Sequence, residues 1–138
     1  MLPKENRLKK NSQFTYIYKH GLSKHSKFLS VSYIRTKYQP FKIGFTVSKK
    51  IGNSVIRSKV KRYLREATRL ELKNINNGYN YVFIAREGID KVNLDMLREI
   101  IIELLTKAGL YKSETKNENT KIKNESKPKG WKYYEKTY

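Results

Sequence analysis

The chain has 138 residues, enough for one compact domain of roughly 100–110 residues plus a tail, and too few for two domains. It carries 31 Lys and Arg against 12 Asp and Glu, a formal net charge of +19 that favours a polyanionic partner. With 0 Cys and 2 His, the sequence excludes disulfides and thiolate zinc sites and argues against a multi-histidine metal site. Its apolar runs are too short for a membrane span, and residues 1–10 lack the apolar core of a signal peptide. We therefore expect a cytoplasmic, polyanion-binding protein.

The composition predicts a boundary after residue 111. Residues 112–138 are a low-complexity basic tail that is predicted to be disordered, which leaves residues 1–111 as the folded domain. The tail contains 8 Lys and 4 Glu, so a net charge of +15 stays with the domain. Three aromatic residues near its end suit stacking on nucleic-acid bases, the alternative being an end without function. They are Trp131, Tyr133 and Tyr134.

A short helix is predicted over residues 12–20, ended by Gly21. Phe14, Ile17 and Tyr18 fall on one face of it at spacings of three and four residues. A helix of about nine residues is not stable alone, so this face must pack on another element.

Two strands are predicted next, over residues 27–37 and 41–49, because apolar and polar side chains alternate in both. Gln39 and Pro40 lie between them and predict a tight hairpin. One face of this sheet is apolar. The other face carries small hydroxyl groups and a base, a pattern typical of a face open to a ligand.

The rest of the domain is predicted to contain a long helix over residues 55–74, a strand over 79–86 and a last helix over 94–108. Asn93 can cap the last helix and Gly109 can end it. A helix between two strands implies a crossover connection. The order of elements therefore predicts an α/β sandwich with one small sheet.

The long helix is basic. Residues 42–69 hold nine bases and one acid, Glu66. On a helix at about 100° per residue, the apolar residues cover one arc and the bases cover an adjacent arc of about 140°. Since like charges four residues apart repel, an ordinary solvated face would include more acids. The abundance of Arg favours bidentate contacts with phosphate, the alternative being a merely soluble surface. The bases of this arc are Arg57, Lys61, Arg62, Arg65 and Arg69.

Two aromatic residues of the first helix favour RNA as the nucleic acid. RNA is usually recognised through its shape, its unpaired strands and base stacking. Phe14 and Tyr18 lie four residues apart beside the hydroxyl-bearing sheet face and suit stacking, the alternative being core packing. No catalytic or metal-binding residues are predicted, because the Glu residues lie on helices and both His residues fit a surface role.

The segment VSKKIGNSVIRSKVKRYLREA at residues 47–67 resembles the signature of the bacterial ribonuclease P protein subunit. The segments NRLKKNSQF at residues 6–14, KHG at 19–21 and VFIAR at 82–86 are also similar to that family. The resemblance covers about residues 4–111. Where the family usually has Arg-Asn-Arg, this chain has Arg57, Ser58 and Lys59.

The resemblance implies an α+β fold, shared with a domain of a ribosomal protein, in which three helices pack on a small mixed sheet of about four strands. It implies a left-handed βαβ crossover around the basic helix. It also implies that the catalyst is an RNA whose Mg²⁺ ions are bound mainly by the RNA, and that the protein alone is inactive.

The partners that the resemblance implies are the ribonuclease P RNA and precursor tRNA, whose 5′ leader is removed; no membrane and no obligate protein partner is inferred. The residues expected to bind the RNA subunit are Arg57, Ser58, Lys59, Lys61, Arg62, Arg65 and Arg69. The residues expected to bind the leader are Phe14, Tyr18, Ser30, Ser32, Thr46, Ser48 and Lys50. The alternative function is a structural RNA-binding protein such as a ribosomal protein. A self-sufficient nuclease is disfavoured, because no acid pair or histidine is placed for it.

Overall fold

The computed structural model describes residues 3–38 and 40–112. Within these ranges the main elements are α1 (Asn11–His20), β1 (Leu22–His25), β2 (Leu29–Arg35), β3 (Ile43–Thr46), α2 (Ser54–Leu70), β4 (Tyr79–Ala85) and α3 (Leu94–Lys107). This α+β arrangement confirms the predicted fold class. The predictions for the tail from residue 113 onward, including those for Trp131, Tyr133 and Tyr134, lie outside the described residues.

The four strands form one mixed sheet in the order β1-β2-β4-β3. β2 is antiparallel to both β1 and β4, whereas β3 is parallel to β4. Parallel neighbours need a crossover connection, and α2 supplies it as predicted. The left hand of this crossover, implied by the family resemblance, stays a prediction.

The tight hairpin predicted at residues 39–40 is wrong. β2 and β3 are not neighbours, because β4 lies between them. β4 is apolar on both faces: Tyr81 and Phe83 are buried in one cluster and Val82 in another. A strand that must be covered on both faces occupies the centre of a sheet, which separates β2 from β3.

β1 was not predicted as a strand. Its residues, Leu22–His25, are mostly exposed and show no apolar alternation, so they carry no local signal for a strand. The strand forms at the sheet edge through its backbone pairing with β2.

The main core lies between one face of the sheet and the helices α2 and α3. Leu64 and Ala67 of α2 and Ile101 and Leu104 of α3 are fully buried there, with Phe83 from the central strand. Burial of this apolar face places α2 firmly on the sheet. The opposite side of α2 is thereby left at the protein surface.

α1 covers part of the other sheet face. Ile17 of α1 and Val82 of β4 are buried in a second, smaller cluster together with Leu8. The sequence predicted that this face is open to a ligand. The structure instead covers part of it with α1, because α1 needs a partner for its own apolar side; Val82 is fully buried, whereas Thr46 and Ile84 stay partly exposed.

Candidate nucleic-acid interface

α2 is held at its start and along one side. The side chain of Asn53 caps its first turn by accepting a hydrogen bond from the Ile56 amide at 3.0 Å. Val60 and Leu64 are buried against the rest of the protein. This anchoring fixes the orientation of the helix, and with it that of the basic residues on the arc next to the buried side.

Six basic residues and one acidic residue occur within α2. Ser58, Lys59, Arg62 and Arg69 are exposed, whereas Arg57, Lys61 and Arg65 are partly buried along the edge of the helix. The structure therefore brings the seven residues expected to bind the RNA subunit onto one element. The positive charges of six of them lie on a rigid backbone, a geometry that suits a row of phosphates.

Two of these cations flank an aromatic ring. The Lys59 ammonium lies 5.6 Å and the Arg62 guanidinium 5.8 Å from the centroid of the Tyr63 ring. Such cation–π contacts restrict the two side chains without neutralising their charge. Arg57 is restrained in another way, because its Nε donates a hydrogen bond to the Gly52 carbonyl at 3.1 Å.

Arg69 differs from the other bases because it is paired with Glu66. The guanidinium donates to both carboxylate oxygens, at 3.2 and 2.5 Å. The hydrogen bond from Arg69 lowers the pKa of Glu66, so the carboxylate is charged at neutral pH. The pair reduces the positive charge at the C-terminal end of α2.

A second group of candidate residues meets where α1 and β3 end. The hydroxyl groups of Tyr18 and Thr46 are 2.6 Å apart and share a hydrogen bond. The Tyr18 side chain is 44% exposed, so its ring remains available for stacking. Ser48 and Lys50 follow directly after β3 and are exposed. Tyr18 and Thr46 are thus in direct contact, and Ser48 and Lys50 follow Thr46 by two and four residues along the chain.

The two serines of β2 lie on the same sheet face as Thr46, two strands away, because Ser30 and Thr46 both pair with Ile84 of β4. Ser30 and Ser32 are 6% and 5% exposed, and their hydroxyls are engaged within the sheet. Ser30 bonds to Nδ1 of His25 and Ser32 to the hydroxyl of Ser23, each at 3.0 Å. The pairing of β1 with β2 sets these contacts. The hydrogen bond between His25 and Ser30 was not predicted, because the sequence of β1 shows no strand pattern.

Phe14 packs over the backbone of β3 at Gly44. A Cβ atom at Gly44 would lie 2.5 Å from Cζ of Phe14, which shows how closely the ring approaches. Phe14 also contacts the second cluster. This environment favours the core-packing alternative for Phe14, in contrast to the exposed Tyr18.

The described residues do not form a metal site. Within residues 3–38 and 40–112, no three His, Asp or Glu side chains come together as potential ligands. None of the described helices is long and apolar enough to cross a membrane.

Comparison with known proteins decides the family. Residues 2–109 match the family model for ribonuclease P. The chain belongs to the bacterial ribonuclease P protein family. Its function is that of the protein component of ribonuclease P, the Mg²⁺-dependent, RNA-based enzyme that matures the 5′ ends of tRNAs.

Two curated ribonuclease P protein components show the extent of the similarity. The protein of Clostridium botulinum (strain 657 / Type Ba4) is 40% identical over 109 residues, 78% of this chain and 98% of that protein. The protein of Clostridium beijerinckii is 43% identical over 116 residues, 78% of this chain and 92% of that protein.

Solved ribonuclease P proteins share the fold. The Staphylococcus aureus protein superposes with a TM-score of 0.71 at 31% identity, covering 78% of this chain and 99% of that one. The Thermotoga maritima protein in complex with 1-(4-fluorophenyl)-2-thiourea gives a TM-score of 0.67 at 28% identity, covering 72% and 96%. The similarity thus spans the described ribonuclease P domain.

Proposed function

We propose that this ribonuclease P protein binds the catalytic RNA through the exposed face of α2. The observation that carries the proposal is the placement of six bases and one acid on a helix whose opposite side is buried. A row of fixed cations matches the spacing of backbone phosphates better than mobile side chains would, because less conformational entropy is lost on binding. The same RNA holds the Mg²⁺ ions of the reaction.

The 5′ leader of precursor tRNA binds, in this proposal, at the area around Tyr18 and Thr46. An exposed aromatic ring offers a stacking platform that accepts any base. Ser48 adds a hydroxyl group and Lys50 adds a charge for the phosphates. Ser30 and Ser32 support this area from within the sheet rather than touching RNA, since both are buried and internally bonded. Because its substrate is precursor tRNA, the protein acts in the cytoplasm.

The first experiment separates the function from its alternatives. Purified protein is incubated with precursor tRNA and Mg²⁺, with and without ribonuclease P RNA. We expect cleavage at the mature 5′ end when the RNA is present and none from the protein alone. Cleavage by the protein alone, after removal of contaminating nucleases, would show a self-sufficient nuclease. Failure to stimulate the RNA would favour a purely structural RNA-binding role.

The second experiment tests the α2 surface by salt dependence. If α2 neutralises about six phosphates, log affinity should fall against log salt with a slope of about −4 to −5. The double variant Arg62→Gln/Arg65→Gln should weaken RNA binding and make this slope shallower by about 1.4–1.8. The matched control is Lys27→Gln/Lys107→Gln, which removes the same charge from exposed residues elsewhere. A wild-type slope shallower than about −2 would show that α2 is not the interface.

A further inference from the structure

A second basic surface lies at the other end of α1, apart from the α2 face. A groove of about 370 Å³ opens where the N-terminal segment meets the starts of α1 and β3. Five bases and one acid, Glu5, line this groove together with Gln13. The five bases are Lys4, Arg7, Lys9, Lys10 and Lys42.

The backbone that carries these bases is fixed to the sheet. The Leu8 amide donates to the Ile43 carbonyl at 3.0 Å, and Arg7 forms a parallel bridge with Ile43. The buried Asn6 side chain donates to the Phe41 carbonyl at 2.7 Å. Segment 4–10 therefore extends the edge of the sheet beyond β3, and its basic residues are presented on a rigid support.

Concentrated positive charge on a rigid support needs a physical reason. Lysines and arginines this close repel one another, and Glu5 offsets only part of that repulsion. A polyanion bound in the groove would remove the repulsion. Bases that only kept the protein surface soluble would have no need to converge on one groove. The charge and the open shape of the groove both fit a phosphate backbone.

The groove adjoins the end of α2. A larger groove of about 510 Å³ lies between the last turn of α2 and the same N-terminal segment, and its lining includes Asn6, Arg69 and Lys73. Asn6 faces one groove, while its neighbours Glu5 and Arg7 line the other. The two grooves therefore adjoin at the N-terminal segment, and the bases that line the larger one include Lys73 and Arg69, the latter already paired with Glu66.

The leader area lies away from this groove. Tyr18 is on the last turns of α1, about 12 Å along the helix axis from Lys10 at its start. Likewise, Thr46 is the last residue of β3, whereas Lys42 directly precedes its first residue, Ile43. Phe14 packs over Gly44, between these two ends of β3.

We propose that the N-terminal groove is a second binding surface for the phosphate backbone of the ribonuclease P RNA, continuous with the α2 surface. This inference rests on the proposed function of α2. It extends the RNA contact from one helix face to the edge of the sheet, so that the RNA is bound along two sides of the protein.

The test uses the double variant Lys4→Gln/Lys9→Gln, because both side chains are exposed and their loss leaves Asn6 and Leu8 in place. Affinity for the isolated ribonuclease P RNA should fall about 10- to 50-fold at 0.1 M salt, with a slope shallower by about 1.4–1.8. The control Lys27→Gln/Lys107→Gln removes equal charge from exposed residues outside both grooves and should change affinity less than twofold. The thermal unfolding midpoint of all variants should match that of the parent protein.

Each other outcome overturns the inference. An equal loss in the control variant would show that total charge, not the groove, governs binding. An effect confined to the Michaelis constant for long-leader precursors would assign the groove to the substrate. If RNA affinity is unchanged while Arg62→Gln/Arg65→Gln weakens it, the groove proposal fails and the proposed function of α2 stands. If neither variant weakens binding, both proposals fail.

Discussion

The hydroxyl of Tyr18 lies 2.6 Å from the hydroxyl of Thr46 and joins the last turns of α1 to the end of β3. The hydrogen bond holds the Tyr18 side chain at its tip while the ring remains 44% exposed. A side chain restrained in this way loses less conformational entropy when a base stacks on it. The contact thus prepares an exposed aromatic platform beside this sheet face.

Replacing Tyr18 with Ala should weaken binding of precursors that have a long 5′ leader. Loss of one stacking platform costs about 1–3 kcal/mol per base, so the apparent Michaelis constant of the holoenzyme should rise for these substrates. Precursors with a leader of one nucleotide do not reach Tyr18 and should be processed as before. The measurement is steady-state cleavage of the two substrates, with affinity for the RNA subunit expected to be unchanged.

Tyr18→Phe is the matched control for this prediction. It keeps the ring and removes only the hydrogen bond to Thr46, so most of the long-leader affinity should remain. Thermal unfolding of Tyr18→Ala should show only a small loss of stability, because the side chain is exposed. A loss of several kcal/mol, with long and short leaders affected alike, would assign Tyr18 to the core instead.

Replacing Glu66 with Gln should strengthen binding to the ribonuclease P RNA. The change releases Arg69 from its ion pair and removes the one acidic group of α2. If Arg69 then contacts a phosphate, the salt slope should become steeper by about 0.7–0.9. Glu99→Gln on α3 is the control, since it removes the same charge from an exposed residue outside the proposed surface. An equal gain in both variants would contradict a specific role for the pair.

Replacing Gly44 with Ala should destabilise the fold. The new Cβ atom would lie 2.5 Å from Cζ of Phe14 and 3.0 Å from Cδ1 of Leu8, so the Phe14 ring must move. Overpacking of this kind costs about 1–3 kcal/mol of unfolding free energy. Urea denaturation of Gly44→Ala, Phe14→Leu and the double variant gives the coupling between the two positions. Additive losses would contradict the direct contact.

The carboxyl group of Glu71 should make the stability of the protein depend on acidic pH. Burial alone raises the pKa of Glu71, but hydrogen bonds from Arg98, Tyr111 and Asn74 outweigh burial and hold it below its ordinary value. A lowered carboxyl pKa stabilises the fold above the unfolded pKa of about 4.3. This contribution should be lost as the pH falls from there through the folded pKa.

The measurement is the unfolding free energy from pH 7 to pH 2, compared with that of Glu71→Gln. The variant should be less stable at pH 7, since it removes the ion pair with Arg98, and its stability should fall less steeply below about pH 4. Glu99→Gln, which changes an exposed carboxyl group on α3, should keep the wild-type acid dependence. Parallel curves for the wild type and Glu71→Gln would show that Glu71 does not contribute to it.

The helices could be predicted from the sequence because their patterns are local. In α2 the apolar residues recur at helical spacing, and this alone separates Leu64 on the buried side from Arg62 on the exposed side. The basic surface of α2 could therefore be predicted without knowledge of the tertiary structure. For Phe14 and Tyr18 the spacing placed both on one face of α1 but did not distinguish the packed ring from the exposed one.

The partners of the strands and the second basic surface were decided by the tertiary structure alone. The order of strands in a sheet depends on which strand most needs burial on both faces. That β4 takes the central position follows only when its two apolar faces are compared with those of the other strands. Likewise, Lys4 and Lys42 are 38 positions apart in sequence, and no local pattern joins them. They line one groove because the amide of Leu8 bonds to the carbonyl of Ile43 and lays the N-terminal segment along the edge of β3.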